Sequence, residues 1–84
     1  MIRFDATVSF EDPGVLEAEI ATKLALAGVK DGTPMVAIVY GDDRRDGDGE
    51  IFVGEEEYGE LQDDDWRVLG YSARELAGKL RACL

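Results

Sequence analysis

Residues 35–40 read Met-Val-Ala-Ile-Val-Tyr, MVAIVY, the longest unbroken apolar run in a chain of 84 residues. The run is short and rich in β-branched residues. It therefore predicts a strand covered on both faces and placed centrally in a sheet. Pro34 opens it, and Lys30-Asp31-Gly32-Thr33 before it reads as a turn.

Upstream, residues 2–10, IRFDATVSF, alternate with a period of two. Ile2, Phe4, Ala6, Val8 and Phe10 point one way; Arg3, Asp5, Thr7 and Ser9 point the other. This predicts a strand with one buried face and an open polar one. Asp12-Pro13 then marks a helix start, because Asp accepts from free amides and proline has no donor to leave unpaired. The helix runs to about Ala27, with Leu16, Ile20, Leu24 and Ala27 as its buried stripe. Glu17 and Glu19 early and Lys23 late suit the helix dipole. Gly28 is a left-handed stop, and Val29 is placed to pack back on the last turn. A second stripe, Ala18, Ala21 and Ala25, reads most simply as helix propensity. The alternative is a close-packed contact between subunits.

Downstream, residues 41–49, GDDRRDGDG, predict a projecting loop, followed by a third strand over Glu50–Gly54 that forms a hairpin with MVAIVY. Residues 55–65 read as mostly irregular. Trp66–Tyr71 predicts a fourth strand. Ser72 and Glu75 form a capping box opening a helix over Ala73–Leu84, with Ala73, Leu76, Leu80 and Cys83 buried. Arg74, Gly78 and Arg81 fall on its outer face. The order β-α-β-β-β-α over residues 1–84 predicts a single α+β domain, a two-layer sandwich. Its sheet is mixed or antiparallel, with two helices on one face. The helical link between the first two strands implies that they run parallel.

Charge is the feature that fold does not account for. Residues 41–65 hold twelve acids and two arginines, a charge equal to the −10 of the whole chain. Acidity this strong disfavours direct binding to nucleic acid or an anionic membrane and favours a basic partner. The candidate partner-binding residues are Asp42, Asp43, Asp46, Asp48, Glu55, Glu56, Glu57, Tyr58, Glu60, Asp63, Asp64 and Asp65. Extended, Glu55 and Glu57 would set carboxylates about 6.6–6.8 Å apart, comparable to successive phosphates on one nucleic-acid strand. Tyr58, outside any expected strand, is the candidate ring to anchor the contact. The plain alternative is a solvated face that keeps a small protein soluble, or acids neutralised by Arg67, Arg74, Lys79 and Arg81.

Other chemistry finds little support. There is no histidine and only one cysteine, so a zinc site and the commonest general base are missing. The lone Cys83 and the lack of a leader-like apolar block favour a reducing cytoplasm. Asp46-Gly47-Asp48-Gly49-Glu50 spaces carboxylates as calcium ligands, but the EF-hand frame fails. From Asp42, Arg44 and Val53 stand where acids are needed; from Asp46, Ile51 stands where glycine is needed. No cofactor, metal or catalytic residue is assigned, and the chain is not expected to be an enzyme.

In size, acidity and lack of catalytic residues the chain resembles phage-encoded inhibitors: anti-CRISPR proteins and DNA mimics that block restriction or repair enzymes. That resemblance implies occupation of a basic, nucleic-acid-binding surface of a partner such as a CRISPR effector. The competing expectation is a non-catalytic adaptor or structural subunit that oligomerises, for instance as a homodimer, through its helices.

Overall fold

The computed structural model describes residues 1–6, 12–40 and 48–83, except the side chains of Pro13 and Cys83. The elements are β1 (Ile2–Asp5), α1 (Pro13–Leu26), β2 (Met35–Tyr40), β3 (Asp48–Val53), β4 (Trp66–Gly70) and α2 (Ala73–Cys83). This is the expected β-α-β-β-β-α order, in an α+β fold. The first strand ends at Asp5; the expected continuation through Thr7, Val8, Ser9 and Phe10 lies outside the described residues. So do Leu84 and the Cys83 side chain.

The four strands form one sheet in the order β1-β3-β2-β4, with every neighbouring pair antiparallel. β1 and β2 do run parallel, as the helical link implies, but β3 is inserted between them. The result is a split β-α-β unit. MVAIVY is central, flanked by β3 and β4, and Ala37, Ile38 and Val39 are all buried.

Register assigns the faces. Ile2, Ile51, Ala37 and Val68 stand in one row across the four strands, and Phe4, Gly49, Val39 and Trp66 in the next. These rows face the helices and meet Leu16, Ile20, Leu24, Leu76 and Leu80 in one core. Gly49 belongs to this face because Phe4 needs its space: a Cβ there would fall 2.2 Å from the ring. Asp48 and Gly49 are therefore the start of β3, not the end of the expected loop.

Both helices carry the punctuation their sequence implies. Asp12 accepts from the Gly14 amide at 2.9 Å. At the other end Gly28 adopts φ +74°. The Gly28 amide bonds Ala25 O and the Val29 amide bonds Leu24 O, which returns Val29 to the core. Two details differ. Ala27 is exposed, since the helix has already ended at Leu26. Glu17 and Glu19 lie beyond the first turn, so neither meets the free amides there; Glu19 instead pairs with Lys23 at 3.4 Å and accepts from the Asp5 amide. In α2 the Ser72 hydroxyl caps the Glu75 amide at 3.1 Å, but the Glu75 carboxylate reaches back one residue further, to the Tyr71 amide at 3.2 Å. Ala77 joins Ala73, Leu76 and Leu80 on the buried side. No helix among the described residues is long and apolar enough to cross a membrane.

Candidate functional site

The candidate site grows from a demand of topology. β3 and β4 both lie antiparallel to β2, so they point the same way. The chain leaving β3 must travel back along the sheet before β4 begins. Residues 54–65 make that return as an irregular strap. Gly54, at φ +65°, turns the chain out of β3, and the Glu56 amide closes that turn on Val53 O at 3.3 Å. The strand therefore does not extend through Glu55 and Glu57, and a phosphate-like ladder of alternate carboxylates is not formed there. A second turn spans Gln62–Asp65: the Asp65 amide donates to Gln62 O, and the Asp65 carboxylate accepts from the Gln62 amide at 2.9 Å.

Between these turns the strap is fastened to the sheet face opposite the helices. The Tyr58 ring lies 5.6 Å from that of Phe52, at 53°. Arg67 donates to the Tyr58 hydroxyl at 2.7 Å, its guanidinium 6.0 Å from the ring centroid. Beneath, Phe52 and Ile38 form a small second core. The expectation of an open outer face thus holds only at its margin, where Arg3 and Asp5 are exposed. Tyr58 is half-buried and occupied, which removes it as a free aromatic anchor. The exposed large apolar residues on this side are Leu69 and Tyr71, continuing the Arg67 parity of β4 beside a hollow of about 240 Å³. Their signal in the sequence was a leucine in the solvent phase of the WRVLGY alternation.

The acids divide by face. Glu55, Glu57, Glu60, Asp63 and Asp64 are exposed along the strap, and Asp65 is half-buried. Glu56 lies 3.1 Å from the Met1 amino group, and that hydrogen bond holds its carboxyl below the usual range. Asp48 opens β3 opposite Asp5. Partial burial raises the Tyr40 phenol above its ordinary value, aided by the negative charges of Glu50 and Asp65 and by a hydrogen bond to Glu50. Asp42, Asp43 and Asp46 lie outside the described residues, so the structure places no site on them. Among the described residues, no three acidic or thiol side chains converge to hold a metal ion.

The expected internal neutralisation of these acids by α2 does not fit the layering, because α2 packs on the other face of the sheet. On that helical side, with the α1–β2 turn, the described carboxylates Asp12, Glu17, Glu19, Asp31 and Glu75 are matched in number by Lys23, Lys30, Arg74, Lys79 and Arg81. The outer face and strap carry Asp5, Asp48, Glu50, Glu55, Glu56, Glu57, Glu60, Asp63, Asp64 and Asp65 against Arg3 and Arg67. Counting side chains, fifteen described carboxylates less seven cations leave −8, all of it on the outer side, where the Met1 amino group offsets one further charge. Chemically, the described part of this side offers many exposed carboxylates, a few exposed apolar atoms and a hollow of about 300 Å³ bordered by Arg3, Tyr40, Asp48 and Glu50.

Comparisons with protein-family models, with curated proteins and with solved structures find no match to this chain.

Proposed function

We propose that the chain is a small protein-binding inhibitor whose acidic face occupies a basic, nucleic-acid-binding surface of a partner, such as a CRISPR effector or another DNA-acting enzyme. The observation that carries the reading is the segregation of charge: among the described residues, side chains balance on the helical side and sum to −8 on the outer side. Charges placed only for solubility have no reason to avoid one face. Concentrated on one face, they raise the encounter rate with a cationic groove and orient the approach. The strap supplies the carboxylates, Tyr58 and Arg67 hold it to the sheet, and Leu69 and Tyr71 provide apolar contact at its edge.

The test is affinity capture from a host lysate with two baits, wild type and a variant with Glu55, Glu57, Glu60, Asp63 and Asp64 changed to amides. These side chains are exposed, so the variant keeps its fold. Wild type alone should retain a nucleic-acid-binding protein, and moderate salt should release it. Capture of the same protein by both baits, or by neither, would refute the reading.

A further inference from the structure

We propose that this chain self-associates through the outer surface of its two helices, the occupant being a second copy whose two-fold axis runs along the groove between α1 and α2. The proposal does not rest on the acidic-face reading.

α1 is apolar on both sides. Opposite the buried Leu16, Ile20 and Leu24 it exposes Val15, Ala18, Ala21, Ala25 and Leu26, the last 83% exposed. An exposed apolar face of this kind marks an interaction surface; among the described residues only the Leu16, Ile20 and Leu24 side of α1 is covered. α2 lacks this feature, exposing Arg74, Gly78 and Lys79.

The two helices lie side by side, and their outer surfaces bear two shallow, open hollows of about 420 and 310 Å³ that share Gly14, Glu17 and Arg74. Together they make one groove. Gly78 lies in it, within the interior of α2, where glycine weakens a helix relative to alanine. A Cβ at Gly78 would meet nothing within 4 Å, so packing inside the chain does not require glycine. Glycine there leaves room for the close approach of a second backbone.

Charge selects a second copy. The described side chains of the helical side are balanced, so two chains of net charge −10 can meet there while their acidic faces point apart. The groove is also self-complementary. Glu17 stands on its α1 bank and Arg74 on its α2 bank, and among the described residues neither has an ion-pair partner. An axis along the groove lays each α1 bank on the opposite α2 bank, with Glu17 facing Arg74 of the partner subunit. A uniformly basic or acidic partner would satisfy one bank only.

The experiment is sedimentation equilibrium of the full chain from low to high micromolar concentration. It compares wild type with Glu17→Arg, Arg74→Glu, an equimolar mixture of those two, and Gly78→Leu, with circular dichroism confirming the fold of each. Wild type should be a dimer. Each charge reversal alone should weaken association roughly tenfold or more, since it places two like-charge contacts in the interface. The mixture should recover dimers containing one chain of each kind, because both cross-pairs are then opposite in sign. Gly78→Leu should be a folded monomer. A wild type that stays monomeric, or a dimer that survives all three substitutions, or folded charge variants that fail to reassociate on mixing, would overturn the proposal.

Discussion

Adding one methyl group at Gly49 and at Gly78 should have opposite effects, and the structure sets both signs. At Gly49 a Cβ would fall 2.2, 2.4 and 2.5 Å from three atoms of the Phe4 ring. Carbon atoms rest at about 3.5–4.0 Å, so the ring must move by more than 1 Å. It is 3% exposed, in the row completed by Val39 and Trp66, and it borders a hollow of about 300 Å³, which keeps the loss away from the upper end of the range. Overpacking of this kind costs about 1–3 kcal/mol, and relief of a strand glycine returns about 0.5–1 kcal/mol. The net is a loss of up to about 2.5 kcal/mol and near 1 kcal/mol at mid-range, which lowers the midpoint of thermal unfolding by roughly 4–8 °C in a domain of this size. At Gly78 the new methyl meets open space within the chain, and the helix gains up to about 1 kcal/mol. Urea titration followed by Trp66 fluorescence and circular dichroism, on dilute protein so that association does not enter, measures both. The Gly49→Ala loss should shrink when Phe4→Leu is added, because the two groups compete for one space. A stabilising Gly49→Ala, or a loss that Phe4→Leu leaves unchanged, would refute the assignment of Gly49 to the core face of β3.

Tyr58→Ala should destabilise by about 2 kcal/mol, through loss of the ring contact and uncovering of Phe52 and Ile38, whereas Tyr58→Phe should lose only about 1 kcal/mol from the Arg67 hydrogen bond. Equal losses in urea titration would mean that the ring does not hold the strap. The Glu75 carboxyl is held below its usual range, first by Lys79 at 3.1 Å and then by the Tyr71 amide. A lowered folded-state value stabilises above the unfolded value of about 4.3 and ceases to as pH falls through the folded value. Wild type should therefore exceed Glu75→Gln in stability at neutral pH, and the gap should close in acid; a gap that persists there would show that the charge is not responsible.

Much of the fold was legible because it is written locally. The alternation of IRFD, the apolar run MVAIVY, Asp12-Pro13, Gly28 and the Ser72–Glu75 pair each specify a neighbourhood of a few residues, and all are found. What was not legible depends on strand order. Nothing near β1 or β2 says that β3 will lie between them. Without that order, β3 and β4 are not known to be codirectional, and the return of residues 54–65 over the outer face has no reason to exist. The misreadings follow from this. Gly49 looked like loop because its partner, Phe4, is 45 residues away in the chain. Tyr58 looked free because Phe52 and Arg67 meet it only after the strap folds back. The acidic candidates were recognisable as a group, but their confinement to one face, and the balance of the other, needed the layers.

The strap also bears on how such a protein could change over generations. Spanning one strand length takes about 20 Å, whereas twelve extended residues reach about 40 Å. Residues 54–65 thus contain roughly twice the chain the crossing needs, fastened mainly at Tyr58 and at its two turns. Between those points, residues can be exchanged, inserted or removed with little consequence for the core. Selection can rewrite the exposed letters of this segment while the sheet and helices are inherited unchanged.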